Sequence, residues 1–153
     1  MLAKILAEVF ERDLNKLKAE IEMYANEGDL WKSSGEIANP AGNLCLHLAG
    51  NLRHFFGSVL GGTEYVRDRD AEFSSVYVPR AQMISEVDAA LVDVLATLGK
   101  LSDEGFEKTY PIEVFGHPMT TGFFLTHLAT HLNYHLGQIN YHRRLTRAAA
   151  EQN

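Results

Sequence analysis

Four segments of the chain place hydrophobic residues three or four positions apart, which is the spacing of one face of an α-helix. The first predicted helix starts at Leu2 and runs for about seven turns, until Glu27-Gly28-Asp29 stops it. Its predicted inner face consists of Leu2, Ile5, Leu6, Val9, Leu14, Leu17, Ile21 and Tyr24. The other three helices are predicted at Pro40–Leu60, Pro79–Leu101 and Thr121–Arg147.

Local signals mark where these helices begin. Asn39 followed by Pro40 predicts an N-cap and a first helical residue. Thr120 or Thr121 is predicted to cap the last helix. Before it, residues 109–118 combine β-prone residues with Gly and Pro, which indicates a short extended piece and a turn.

Residues 63–78 break the helical pattern and are predicted to be a loop that crosses the end of the helices. The alternating charges of residues 67–70 are interpreted there as a solvated surface. Four helices that are each apolar on one side predict an all-α fold, a four-helix bundle with a long crossover connection between helices 2 and 3. Residues 1–153 are expected to form a single domain.

Composition and charge exclude several classes of protein. The chain is 46% hydrophobic and 22% charged, which is ordinary for a globular protein. A net charge of −6 argues against nucleic acid as a partner. No apolar run approaches the roughly 18 residues of a membrane span, so no membrane partner is expected. The single cysteine, Cys45, excludes an internal disulfide, and a cytoplasmic location is the simplest expectation.

The last helix carries three histidines at four-residue spacing: His127, His131 and His135. On a helical wheel His131 and His135 lie within the apolar stripe, whereas His127 lies at its edge. His142 faces the same way, but it is roughly 10 Å further along the axis than His135. Imidazoles four residues apart share one face and are able to bind one metal ion. The alternative is that these histidines are partly buried structural residues.

The second helix offers further polar side chains near its apolar stripe. His47 lies one turn before Asn51 and two turns before His54. Either histidine is a candidate third ligand, and the residues alone leave the choice open. Asn51 and Gln138 lie one turn beyond His47 and His135, so they are candidates for orienting a ligand or lining a pocket. Both amides are equally compatible with simple packing.

Two motifs resemble the DinB-like superfamily of helical bundles: NLCLHLAGNLRHFF in helix two and HLATHLNYHLGQINYHRRL in helix four. The resemblance extends over nearly the whole chain through the order and spacing of the helices. It implies a divalent metal bound by His47, His131 and His135, and it selects His47 over His54. The pair of His127 with His131 remains a rival. The superfamily includes bacillithiol S-transferases and a mycothiol-dependent isomerase, as well as members with no assigned reaction.

Three neutral imidazoles leave open positions on a metal, which is the pattern of catalytic sites. The expected cofactor is a divalent transition metal, with zinc or nickel favoured and iron, manganese or copper as alternatives. At such a site a thiol or a water becomes a nucleophile near neutral pH. The first hypothesis is therefore a thiol S-transferase that joins a small thiol to an electrophile. The catalytic residues beyond the metal ligands are unknown.

Three other functions remain open at this stage. The chain is alternatively a metal-dependent hydrolase, a non-catalytic metal-binding bundle related to stress, or a helical interaction module with structural histidines. No carboxylate lies at helical spacing from the histidines to act as a base, which favours thiol chemistry over hydrolysis. A homodimer is expected, because four phenylalanines offer aromatic surface for pairing unless they fill the core: Phe55, Phe56, Phe123 and Phe124.

Overall fold

The computed structural model describes residues 1–33 and 35–151, and this part of the chain is helical without a β-strand. Six helices follow one another: α1 (Leu2–Glu22), α2 (Ala41–Leu52), α3 (Arg69–Ser74), α4 (Arg80–Leu98), α5 (Asp103–Glu107) and α6 (Thr121–Glu151). A 3₁₀ turn, Glu27–Trp31, follows α1, and α2 continues as a π-helix over Arg53–Leu60. The predicted all-α class is confirmed. The predicted extended piece is reduced to one β-bridge between Thr109 and Thr120 in the described chain.

The four long helices share one hydrophobic core, because α1 and α2 each contact both α4 and α6. Aromatic rings join these helices across the core. Phe10 of α1 meets Phe56 of the π-helix edge to face, with ring centroids 5.0 Å apart. Phe55 meets Phe124 of α6 in the same manner at 4.9 Å. These edge-to-face contacts are the favourable geometry for aromatic pairs and hold the second helix against its neighbours.

Most of the inner face predicted for the first helix is buried, and one residue of it, Ile5, is exposed. Ile5, predicted to face inward, is 51% exposed, whereas Phe10 is fully buried. Leu6, Leu14 and Leu17 share the buried face with Phe10. A phenylalanine ring removes more apolar area from water than an isoleucine side chain does. The helix is therefore rotated toward Phe10, and Ile5 lies outside the core.

The beginnings of the second and last helices show two different outcomes. Helix α2 begins at Ala41, and its N-cap is Pro40, with no side-chain cap from Asn39. The Pro40 carbonyl accepts the first helical hydrogen bond from Leu44 N at 3.1 Å. The prediction for Asn39 and Pro40 was thus wrong by one residue. By contrast, Thr120 caps α6 as predicted, because its Oγ1 accepts a hydrogen bond from Phe123 N at 3.2 Å.

The connection between α2 and α4 contains a short helix where a loop was predicted. Asp68 begins α3 as its N-cap, and its carboxylate accepts a hydrogen bond from Ala71 N at 2.9 Å. Helix α3 packs on α2. The Asn43 side chain on α2 donates to the carbonyls of Glu72 at 3.0 Å and Ser75 at 2.8 Å. The connection between α2 and α4 is therefore an ordered segment fixed to α2.

Burial bears on the expected pairing surface and on Cys45. Among the four phenylalanines offered as a pairing surface, Phe55, Phe56 and Phe124 are buried in the core, and Phe123 is 59% exposed. The aromatic surface is therefore mostly internal, and the homodimer stays a prediction.

Cys45 is fully buried, and burial raises the pKa of its thiol to about 12. Within the described residues, every helix is too short or too polar to cross a bilayer.

Candidate metal centre

Three imidazole rings from two helices meet beside the core. His47 comes from α2, and His131 and His135 come from α6. The Nε2 atom of His131 lies 3.2 Å from Nε2 of His47 and 3.2 Å from Nε2 of His135. One ring nitrogen from each residue lies within 4.8 Å of the other two. The structure thus brings together the three residues that the resemblance selected as ligands.

The outer nitrogens of two of these rings have acceptors that fix the tautomer. His47 Nδ1 lies 2.9 Å from Glu72 Oε2, and His135 Nδ1 lies 2.6 Å from Gln138 Oε1. A carboxylate and an amide oxygen are both acceptors, so each Nδ1 carries the proton and donates it. The Nε2 atom of each ring then holds a lone pair. Both lone-pair nitrogens face His131, which is the arrangement that a metal ion requires.

Arg67 holds the Glu72 carboxylate in place from the other side. Its Nε lies 2.7 Å from Glu72 Oε1, and its second guanidinium nitrogen lies 2.9 Å from Glu72 Oε2. This two-point contact is the geometry in which arginine binds a carboxylate most firmly. The same guanidinium nitrogen lies 3.3 Å from His47 Nδ1. Arginine is only a donor, so a hydrogen bond from Arg67 would require His47 Nδ1 to be unprotonated. The contact with the Glu72 carboxylate is shorter, so we assign the proton to Nδ1.

The protonation states agree with this assignment. Burial alone would raise the pKa of Glu72, but hydrogen bonds from His47 and Arg67 lower it below its ordinary value. The carboxylate is therefore ionised at neutral pH. Burial, helped by the neighbouring His135 and His47 rings, lowers the pKa of His131 to about 4. Burial also lowers the pKa of His135. Both rings are neutral at pH 7, as metal ligands must be.

Two of the three distances between the ring nitrogens fit a transition metal. Nitrogens bound to zinc at about 2.0–2.1 Å lie roughly 3.3–3.4 Å apart in a tetrahedron. The two contacts of 3.2 Å made by His131 Nε2 are close to that value. Without a cation, a proton on His131 Nε2 would be donated to only one of the two neighbouring Nε2 atoms, that of His47 or that of His135. A cation in the centre satisfies all three nitrogens at once.

The remaining histidines lie outside this group. His127 stacks on His131 with ring centroids 6.2 Å apart and meets the Phe115 ring edge to face. His54 packs against Phe55, and its pKa is lowered mainly by burial. His117 is exposed. Neither His127 nor His54 contributes a nitrogen to the three-histidine cluster. The rival pair of His127 with His131 therefore has no geometric support.

His142 has a separate structural role. Its Nδ1 lies 2.7 Å from the Tyr24 hydroxyl, and its Nε2 lies 2.7 Å from the Lys32 carbonyl oxygen. The ring is 5% exposed. These contacts join α6 to the end of α1 and to the following turn. The prediction that His142 is too far along the helix to share the cluster is consistent with this position.

The two amides named from the sequence have different surroundings. Gln138 orients His135 and also lines a cavity of about 520 Å³ beside it. Asn51 is 7% exposed, and its Oδ1 is buried without a hydrogen-bond partner in the described part of the chain. Gln138 therefore has the orienting position that its spacing predicted. Asn51 is packed within α2 and has no contact with the three rings among the hydrogen bonds of the described residues.

Glu72 and Arg67 were missed from the sequence. The charged stretch around Arg67 was interpreted as solvated surface, yet the Arg67 side chain is 12% exposed and that of Glu72 is 6% exposed. The search for a carboxylate at helical spacing from the histidines could not find Glu72, because Glu72 belongs to a different helix, α3, and contacts His47 from there. The available signal was Gly50, one turn beyond His47. A Cβ at Gly50 would lie 2.2 Å from Glu72 Oε1, so this position has to lack a side chain.

Comparison with known proteins gives a family without a described activity. No curated protein sequence matches the chain. The family model described as "Protein of unknown function (DUF1572)" matches residues 5–152, and this range includes the three histidines, Arg67 and Glu72. Because the match covers nearly the whole chain, the protein is a member of the DUF1572 family.

Proposed function

We propose that the protein binds a divalent transition metal through His47, His131 and His135 and uses it to activate a small thiol for transfer to an electrophile. The observation that carries the proposal is the convergence of three Nε2 atoms, with His131 Nε2 3.2 Å from each of the other two. Zinc and nickel are the favoured metals, since both accept three imidazoles and leave open positions. A bound metal would lower the pKa of a thiol placed at an open position.

The chain's own residues supply the orientation that this function needs. Glu72 accepts the His47 Nδ1 proton, and Gln138 accepts that of His135. Arg67 neutralises the buried carboxylate of Glu72, so this pair adds no net charge behind His47. A cation held by three neutral rings therefore keeps its full positive charge. That charge favours an anionic nucleophile such as a thiolate.

The resemblance to the DinB-like superfamily supports the same proposal. We infer that the four long helices α1, α2, α4 and α6 form a DinB-like four-helix bundle whose crossover runs between α2 and α4. The contacts of α1 and α2 with both later helices are consistent with that arrangement. Bacillithiol S-transferases of this superfamily provide the thiol class to be tested first. The partners proposed on this basis are a small thiol and an electrophile.

Metal-dependent hydrolysis is the second candidate, and Glu36 is the observation that favours it. Glu36 lines the same cavity as His135, so a carboxylate is available on its wall. Glu72 is unsuited to that role, because Arg67 and His47 occupy both of its oxygens. A hydrolase would need Glu36 as a general base acting on a water beside the histidines.

Metal analysis of untagged protein tests the proposal first. We expect about one zinc or nickel per chain after loading, and His131→Ala should remove most of it. The loaded protein is then assayed for conjugation of bacillithiol, cysteine or coenzyme A to monobromobimane, and for hydrolysis of p-nitrophenyl acetate. Thiol conjugation that is lost in His131→Ala supports the transferase, and ester hydrolysis that is lost in Glu36→Gln supports the hydrolase. Bound metal without turnover would assign a sequestering role, and absence of metal would make the histidines structural.

A further inference from the structure

The cavity of about 520 Å³ shares one residue, His135, with the histidine cluster. One wall is a face of α6 that carries Tyr134, His135, Gln138 and Tyr141, and the opposite wall is the segment 36–39 that precedes α2. His135 belongs both to the cluster and to the cavity wall. A volume of this size is typical of a site for a small organic ligand. A molecule in the cavity would thus lie beside the metal position.

The wall is rich in apolar and aromatic surface that no other part of the described chain covers. Tyr134 and Tyr141 are each 65% exposed, and Leu145 is 57% exposed. These three residues follow one another at helical spacing on α6 and line the cavity together with Leu44. Large apolar side chains exposed next to one another commonly mark a binding site. The surface matches a ligand with an aromatic or otherwise apolar body.

The charge of the wall selects among such ligands. Glu36 contributes a carboxylate, and no lysine or arginine lines the cavity among the described residues. Both ring nitrogens of His142 are occupied by Tyr24 and Lys32. Arg144 packs 5.5 Å from the Tyr141 ring centroid but does not line the cavity. Away from the metal position, an anionic body would find no cationic side chain on this wall and would meet the field of a chain with net charge −6.

We infer that the cavity beside His135 binds the body of the electrophile, the second of the two proposed substrates, and that this body is aromatic or apolar and neutral or cationic. This inference rests on the proposed function, because a ligand in the cavity is a substrate only if a metal is bound at the neighbouring histidines. Glu36 would pair with a cationic group of the ligand, while the Tyr134 and Tyr141 rings would pack against its body. Electrophiles whose body carries carboxylates would bind poorly in the cavity.

Three probes of equal shape test the charge preference: 2-naphthylmethylamine, 2-naphthalenemethanol and 2-naphthoate. Their affinities are measured by calorimetry at low salt on chelator-treated protein, so that a carboxylate cannot bind a metal instead. We expect the amine to bind on the order of tenfold more tightly than the carboxylate, with the alcohol between them. Glu36→Gln should bring the amine close to the alcohol. Glu11→Gln, which removes an exposed charge on α1, is the matched control and should keep the wild-type order.

A second variant separates the apolar contribution from the charge. Tyr141→Ala should weaken all three probes by a similar factor, because it removes ring surface and no charge. Equal affinity of the three probes, or binding of none of them, would overturn the inference. Zinc binding is measured separately by competition with a chromophoric chelator. If the wild-type protein does not bind zinc, the proposed function is refuted whatever the probes show. If it binds zinc but binds the three probes with equal affinity, only this inference is refuted.

Discussion

Glu72 on the six-residue helix α3 lies 2.9 Å from His47 Nδ1 and fixes the direction in which that ring presents its other nitrogen. A carboxylate behind a histidine raises the basicity of the ring and holds its orientation. The carboxylate is itself held by Arg67, so three residues from two segments act as one unit. The candidate metal centre therefore includes the connection between α2 and α4 as well as the long helices.

Replacing the carboxylate tests this relationship directly. In Glu72→Gln the amide offers one acceptor where two donors, His47 and Arg67, need one each. We expect zinc affinity to fall by about 10- to 100-fold, as measured by competition with a chromophoric chelator. Asp70→Asn, an exposed change on the same helix, should leave the affinity unaltered. An unchanged affinity in Glu72→Gln would mean that His47 is oriented without its carboxylate.

A methyl group at Gly50 should give the same defect without removing any polar group. The new Cβ would lie 2.2 Å from Glu72 Oε1, so the Glu72 side chain has to move away from Arg67 and His47. We expect Gly50→Ala to weaken zinc binding by roughly 10-fold or more. Gly137→Ala is the matched control, since its Cβ would meet nothing within 4 Å. That control should bind zinc normally and gain about 0.5–1 kcal/mol of helix stability.

Acidification should destabilise the metal-free protein over a defined range of pH. The pKa of His131 is lowered to about 4, whereas an unfolded histidine titrates near 6.5. Below pH 6.5 the unfolded state binds the proton more readily, so stability falls as the pH decreases toward 4. The loss attributable to His131 is at most about 3 kcal/mol.

Urea unfolding of chelator-treated protein at several pH values between 7 and 4 measures this effect. His131→Gln should show a shallower decline than the wild type, because the titrating ring is gone. His117→Gln changes an exposed histidine and should keep the wild-type decline. A decline that is equally steep in His131→Gln would assign the effect to other groups.

The rotation of α1 gives a prediction about stability. Phe10 is fully buried against Phe56, so Phe10→Ala should lower the free energy of unfolding by about 3–5 kcal/mol. Ile5 is 51% exposed, and Ile5→Ala should change it by no more than about 0.5 kcal/mol. Urea unfolding at pH 7 compares the two variants. The face predicted from spacing alone would require a large loss for Ile5→Ala as well.

Periodicity in the sequence was sufficient for features that depend on one helix. The spacing of His131 and His135 placed both rings on one face, and the structure brings them into contact. The predicted helices recur as α1, α2 with its π-helical continuation, α4 and α6. Their ends are shifted by a few residues. These features follow from the 3.6-residue repeat, which is encoded locally.

Features that depend on contacts between segments were beyond the same reasoning. The partnership of His47 with the α6 rings came from the resemblance, because spacing within α2 did not distinguish His47 from His54. Glu72 was missed because α3 approaches α2 through a turn whose path no periodicity encodes. The choice of Phe10 over Ile5 depends on which side chain fills the space next to Phe56. Competition for that space is a property of the folded chain.

A helix of six residues such as α3 is too short to persist by itself, so its order depends on what it touches. Two contacts join it to α2. The Asn43 side chain donates to the Glu72 carbonyl, and the His47 ring is hydrogen-bonded to the Glu72 carboxylate. Any ion that immobilises His47 would therefore also restrain the connection between α2 and α4, because opening α3 would release the ring's partner. Slowed amide hydrogen exchange across residues 69–75 would then serve as a remote gauge of occupancy at the three rings.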